Sequence, residues 1–161
     1  MTDPVPTSDQ PAILFVCLGN ICRSPLAEAA FRAAAARAGL AVRVDSAGTG
    51  NWHSGKAPDR RAQAVALGHG IDIASYRARQ VTPEDFACYT HIFALDPNNL
   101  TTLQRLAPPD AVAKLGLLLD LLPDRLGEGV ADPYFGTAAG FETTWRDVDA
   151  AACALVDMLQ R

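Results

Sequence analysis

The apolar run Ala12-Ile13-Leu14-Phe15-Val16 leads directly into Cys17-Leu18-Gly19-Asn20-Ile21-Cys22-Arg23-Ser24-Pro25, and an alanine-rich segment then continues to Gly39. The apolar run has the length and composition of a buried strand, and the segment after Ser24 is long enough for several helical turns. A strand delivered into a helix through a short loop is the first half of a βαβ unit. Such units build parallel sheets, because only a crossover returns the next strand in the same direction. Ser24 fits the helix cap and Pro25 the first helical position.

The rest of the chain keeps alternating. Ala41-Val42-Arg43-Val44 reads as a second strand, and Pro58 to Leu67 as a helix stopped by Gly68. Thr82-Pro83-Glu84-Asp85 has the pattern of a short helix start, Thr90 to Leu95 and Lys114 to Leu119 read as strands three and four, and Asp96-Pro97-Asn98 caps a helix between them. Phe141, Trp145, Val148, Ala152, Leu155, Val156 and Leu159 recur at three and four residues and define a final amphipathic helix. No repeat or low-complexity linker interrupts this order. The expected fold is α/β, with three α/β/α layers around a four-stranded parallel sheet, doubly wound by right-handed crossovers. Residues 1–11 read as a flexible N-terminal tail and residues 12–161 as a single domain.

Composition bounds the function. The chain has 161 residues, of which 49% are hydrophobic and 20% charged, enough for a substantial core. A formal charge of −4 argues against nucleic acid or an anionic membrane surface as the main partner. No segment approaches the roughly 18 apolar residues of a membrane span, and the N-terminus lacks an export signal. Four cysteines in that setting read as reduced thiols, so the expected compartment is the cytoplasm.

Ligands of doubly wound sheets bind beyond the carboxyl ends of the strands, which is where the Cys17 loop falls. A helix N-terminus presents N–H groups without partners and the positive end of the macrodipole. Gly19 and Asn20 tolerate left-handed backbone, so the N–H groups of Leu18, Gly19, Asn20, Ile21, Cys22 and Ser24 can turn inward around an anion. Arg23 adds a planar fork suited to two phosphate oxygens. Cysteines beside helix N-termini and cations ionise more readily than free ones, and a thiolate under such a cradle is a nucleophile aimed at phosphorus. Asp132, in a loop after the fourth strand, is the candidate general acid, stiffened by Pro133; a plain turn aspartate is its simpler reading.

The spacing Cys-x5-Arg-Ser and the fuller string CLGNICRSP resemble the low-molecular-weight protein tyrosine phosphatases. So do Asp45-Ser46-Ala47-Gly48, Trp52, Gly68-His69-Gly70-Ile71, Ala78-Arg79-Gln80-Val81, Leu95-Asp96 and Asp132-Pro133-Tyr134, in the family's order from about Ile13 to the end. The resemblance implies the phosphatase-I type of fold and hydrolysis of phosphotyrosine through a cysteinyl-phosphate, without metal or cofactor. It assigns Cys17 as nucleophile, Arg23 as phosphate ligand and Asp132 as acid and base. Trp52 and Tyr134 become walls of the cleft, at ring distances of about 4.5–7 Å from a bound phenyl group; plain packing is the alternative for Trp52. It further implies a network of Asn20, Ser24, Ser46 and His69 that holds Asn20 in a strained shape, with a capping role as the alternative for His69. The implied partner is a phosphotyrosine protein, a bacterial tyrosine kinase being one candidate. Many relatives have a second tyrosine after Tyr134; here it is Phe135.

Competing chemistries fit less well. Zinc needs a second close pair of ligands to complement Cys17 and Cys22, and nucleotide-binding glycine patterns are missing. A thioredoxin-coupled arsenate reductase shares the loop but needs two further closely spaced cysteines, whereas Cys88 and Cys153 stand far apart. A silent phosphotyrosine-binding module would lack the nucleophile or the acid. Cys22, Cys88 and Cys153 read as small buried side chains, although Cys22 also stands close enough to trap an oxidised Cys17 as a reversible disulfide.

Overall fold

The computed structural model describes residues 10–161. The expected N-terminal tail falls mostly outside them; within them Pro11 already accepts a hydrogen bond from Arg43 N at 2.9 Å. Four strands, β1 (Ala12–Cys17), β2 (Arg43–Gly48), β3 (His91–Ala94) and β4 (Lys114–Leu117), form one parallel sheet in the order β2-β1-β3-β4. Five helices connect and cover them: α1 (Arg23–Arg37), α2 (Arg60–Gly68), α3 (Asp85–Cys88), α4 (Pro97–Leu106) and α5 (Ala138–Leu159).

Strand β1 is central, and all six of its residues are buried. Alternate side chains enter opposite layers, as the two-residue period of a strand requires. Ile13, Phe15 and Cys17 join the core formed with α1, α2 and α5, where Leu26, Phe31, Phe141, Val148 and Leu155 are buried. Leu14 and Val16 join the opposite core with Phe86 of α3, Leu103 of α4 and Ile92 of β3. The three layers expected from the alternating pattern are therefore present.

Element boundaries moved for identifiable reasons. β2 begins two residues later than expected and continues through Asp45 and Ser46 to Gly48, pairing Arg43 with Ala12 through to Gly48 with Cys17. Polar Asp45 and Ser46 look like a turn in sequence. In the strand, Arg79 Nε reaches Asp45 Oδ2 at 3.0 Å, and Ser46 is bonded on both sides. β4 stops at Leu117 because it pairs on one side only, with the four residues of β3, and Leu118–Leu121 turns into a 3₁₀ helix. α1 ends where Gly39, at φ 67°, lets Leu40 N return to Ala35 O at 2.9 Å.

Its N-terminus departs from expectation in a more informative way. Cys22 is the N-cap, no side chain caps the helix, and Ser24 lies inside it. The Ser24 hydroxyl is occupied elsewhere, which leaves the helix start open to an anion. Cys88 and Cys153 are exposed rather than buried, while Cys17 and Cys22 are buried, and all four are free thiols.

Candidate active site

The loop from Cys17 to Arg23 closes over the carboxyl end of β1 and is shaped by Asn20. At φ 58° Asn20 is the only non-glycine residue with positive φ among the described residues, and it is buried. Its side chain explains how that conformation persists. Arg79 N donates to Asn20 Oδ1 at 3.0 Å, and since a backbone N–H can only donate, the orientation of the amide follows. Nδ2 must then face the serines, donating to Ser24 Oγ at 2.8 Å and Ser46 Oγ at 2.9 Å. Ser46 Oγ in turn donates to Glu28 Oε1 at 2.7 Å.

With a lone pair of Ser24 taken by Asn20, the Ser24 hydroxyl proton is free to point at Cys17 Sγ, 3.0 Å away. Asn20 N also donates to that sulfur at 3.3 Å. Three buried side chains therefore align a hydrogen-bond donor on the candidate nucleophile, and the chain of bonds continues through Glu28 to Arg32. Burial pushes the Glu28 carboxyl up, against the hydrogen bonds from Arg32 and Ser46, which lower it. The Arg32 bond is 2.8 Å long.

His69 does not occupy the position expected in this network. It is the C-cap of α2, stacks on Trp145 with ring centroids 4.8 Å apart, and pairs with Glu142 at 3.2 Å. The geometry of α2 explains the difference. Its start touches the loop through Asp59 N and Ile21 O at 2.9 Å, so its far end lies roughly 13 Å away along the axis, at 1.5 Å per residue. Glu28, on α1, occupies the inner end of the network instead.

Arg23 is buried and its guanidinium is directed by fixed acceptors. One terminal nitrogen donates to Asp96 Oδ2 at 2.7 Å and to Val130 O at 3.1 Å. The other terminal nitrogen lies 3.6 Å from Asp132 Oδ2. Burial pulls the Arg23 pKa down, but Cys17, Asp96 and Asp132 together push it above its ordinary value. Asp96 serves two helices at once, since its Oδ1 accepts from Asn99 N at 2.7 Å and caps α4.

Asp132 stands at the rim of the same cleft. Its Oδ1 accepts from Tyr134 N at 3.1 Å, so it is a turn aspartate and a cleft residue together. The cleft encloses about 170 Å³ above the loop and is walled by Trp52, His53, Tyr134 and Phe135. Trp52 and Phe135 are strongly exposed and Tyr134 partly so. Cys22 lines the floor, and burial pushes its thiol far up, with Asp59 and Cys17 adding to the effect. The structure thus unites every expected site residue except His69.

Three further residues, Glu28, Arg79 and His53, were not expected at this site, whereas Asp96, which follows a strand, was expected at this edge of the sheet but without its partner Arg23. Glu28 and Arg79 carry no local signal because their partners lie 18 and 59 residues away. His53, with its ring 6.5 Å from that of Tyr134, has no motif beyond its place beside Trp52. The pairing of Asp96 with Arg23 is hidden behind its capping role.

A thiol beneath a cradle of loop amides and a guanidinium at the carboxyl edge of a parallel sheet, with a carboxylate at the rim, defines a cysteine-dependent phosphate-ester site. The chain belongs to the low molecular weight phosphotyrosine protein phosphatase family, whose sequence model matches residues 12–161. It is 44% identical over 149 residues to low molecular weight phosphotyrosine protein phosphatase 2 of Drosophila melanogaster, covering 89% of each chain. It is also 44% identical over 149 residues to the low molecular weight protein-tyrosine-phosphatase of Streptomyces coelicolor, covering 89% of this chain and 90% of that one. The solved structure of Primo-1 matches with a TM-score of 0.89 at 35% identity, over 94% of this chain and 99% of the other.

Proposed function

We propose that the protein is a metal-independent protein tyrosine phosphatase. The observation that carries the reading is the convergence of Cys17, Arg23 and Asp132, from loops more than a hundred residues apart in sequence, on one aromatic-walled cleft. Cys17 Sγ attacks phosphorus, the bond to the tyrosyl oxygen breaks, and Asp132 protonates that oxygen as it leaves. Without the proton the leaving group would be a phenolate of pKa about 10. Water then attacks the cysteinyl-phosphate, the Asp132 carboxylate accepts its proton, and inorganic phosphate departs as the Cys17 thiolate reforms. Arg23 and the loop amides hold the non-bridging oxygens through both steps.

Trp52 and Tyr134 enclose the aryl ring, so the partner is a phosphotyrosine-bearing protein, with a tyrosine kinase as one candidate substrate. Phe135 lacks a hydroxyl and cannot itself be phosphorylated. Among the described residues no helix is long and apolar enough to cross a membrane, and we assign the protein to the cytoplasm, where Cys17 and Cys22 stay reduced. Peroxide converts the Cys17 thiolate to a sulfenic acid, and the Cys22 thiol condenses with it to a disulfide with loss of water, a state that dithiothreitol reverses. If peroxide-treated wild type regains no more activity than Cys22→Ser, that protective role is wrong.

The decisive assay for the main reading is turnover of 4-nitrophenyl phosphate by reduced protein in the presence of a chelator. Activity is expected to persist with the chelator and to vanish in Cys17→Ser, which also leaves no labelled phosphoenzyme after acid quench. Absence of turnover by folded, reduced wild type would overturn it.

A further inference from the structure

The start of α2 stands between the two halves of the site. Asp59 N donates to Ile21 O at 2.9 Å, which ties the helix to the nucleophile loop. Two residues later, Arg61 faces the loop that carries Asp132. Its Nε donates to Asp59 Oδ1 at 3.1 Å, and one terminal nitrogen donates to both Asp59 Oδ2 at 3.1 Å and Tyr134 O at 2.8 Å. The other terminal nitrogen donates to Gly136 O at 3.0 Å. The guanidinium lies 4.6 Å from the Phe141 ring centroid, which leaves it little freedom to tilt.

Asp59 is suited to hold this arrangement. Its hydrogen bonds from the Arg61 side chain pull its carboxyl below the usual range despite partial burial, so it is anionic at neutral pH. Its Oδ1 also caps α2 by accepting from Arg61 N at 2.8 Å. The segment on the far side has no regular secondary structure from residue 130 to 137. Its upstream end is fixed, by Val130 N donating to Leu95 O at 2.7 Å and Thr144 Oγ1 to Ala131 O at 3.3 Å, but from Asp132 onward its own backbone bonds are local, from Tyr134 N to Asp132 Oδ1 and from Gly136 N to Pro133 O.

We propose that Arg61 is a positioning residue for the reaction. Held by Asp59 and fastened to the carbonyls of Tyr134 and Gly136, it sets the separation of Cys17 and Asp132, so that the acid stands over the leaving oxygen when phosphate fills the loop. Only a planar, multiply donating group can span these acceptors, and a lysine ammonium cannot. The inference rests on the assignment of Asp132 as general acid.

The test compares kcat/KM, which reports the step that expels the aryl group, for phenyl phosphate and for 4-nitrophenyl phosphate, whose leaving group needs little protonation. The proteins are wild type, Asp132→Ala, Arg61→Ala, Arg61→Lys and the double variant Arg61→Ala/Asp132→Ala. Arg61→Ala is expected to lose about tenfold more on phenyl phosphate than on 4-nitrophenyl phosphate, and Arg61→Lys to behave like it. The double variant should fall within about twofold of Asp132→Ala alone, because the two side chains act on one proton transfer. Should Arg61→Ala not fold, Arg61→Lys carries the same comparison. Equal losses on the two substrates by the Arg61 variants, or wild-type behaviour of Arg61→Lys, would overturn the proposal while an unequal loss in Asp132→Ala left the acid assignment standing. An equal loss in Asp132→Ala itself would remove the acid assignment and this proposal with it.

Discussion

Asn20 shows how one side chain can hold a loop in a shape its backbone disfavours. Left-handed backbone costs a non-glycine residue of order 1–3 kcal/mol, and three bonds from the Asn20 amide to Arg79, Ser24 and Ser46 offset it. Asn20→Ala removes those bonds and orphans their partners. We expect a loss of about 1–3 kcal/mol in urea unfolding together with a fall in kcat. Glu28 gives a sharper contrast. Glu28→Ala leaves the buried Ser46 hydroxyl without its acceptor and should cost about 1–3 kcal/mol. Glu28→Gln keeps an acceptor oxygen for Ser46 and should lose less, so equal losses would show that the ion pair with Arg32 matters more than the link to Ser46.

At the scale of elements, the site depends on connections arriving at one edge with little tolerance. Gly129 illustrates this. A Cβ there would lie 2.7 Å from Asp96 Cβ and 3.0 Å from its Cα, contacts that only a shift of backbone could relieve. The same stretch supplies Val130 O to Arg23 and leads to Asp132. Gly129→Ala should therefore push the acid loop off the Asp96–Arg23 pair and lower kcat about tenfold or more, with far-UV circular dichroism unchanged. An active, kinetically normal Gly129→Ala would mean the loop can be displaced without consequence. The helix starts are used unequally: Asp59 and Asp96 cap α2 and α4, whereas α1 has no side-chain cap and its N-cap Cys22 and first residue Arg23 line the cleft. Sequence rules suggested Ser24 as the cap of α1, and they miss because Ser24 bonds to Asn20 and Cys17 instead.

For the whole molecule, stability should depend on pH through His91 on β3. Partial burial, with Lys114 nearby, holds its pKa below the ordinary value of 6.5. The unfolded chain therefore takes up a proton near pH 6.5 that the folded chain resists until lower pH, so the unfolded state binds more protons in that window. Stability should fall as pH drops through about 6.5, and His91→Gln should flatten this part of the profile in urea titrations between about pH 7 and pH 5. A profile unchanged in the variant would assign the slope to other groups.

The α/β layering and most of the site were legible before the structure, for reasons particular to these residues. Strand β1 and the loop after it announce themselves because their signals lie within fourteen consecutive residues, Ala12 to Pro25, and α5 because its buried positions repeat at helical spacing. Asp132 was marked by Pro133 and Tyr134 beside it. Of the two roles open to His69, the structure shows the capping one, at the end of α2, and not the network one, since a motif beside Gly68 carries no information about which end of that helix meets the loop. β2 was misjudged at both ends because its polar residues are satisfied by Arg79 and Glu28, neither of which is near it in sequence.

By itself, then, the sequence determined the order of strands and helices and put forward Cys17 with its loop as a candidate nucleophile under a phosphate cradle, while the cleft walls entered only through the family resemblance. The element order and the loop are consequences of local pattern: strand period, helix period and the conformational range of glycine and asparagine within one short loop. Only the tertiary structure decided that Glu28 anchors the Asn20 network, that Asp96 aims Arg23, and that Asp59 and Arg61 stand between the loop of Cys17 and the loop of Asp132. Each of these depends on where the chain returns after a crossover. Hydrogen bonds act over about 3 Å in space and are indifferent to the number of residues between their partners.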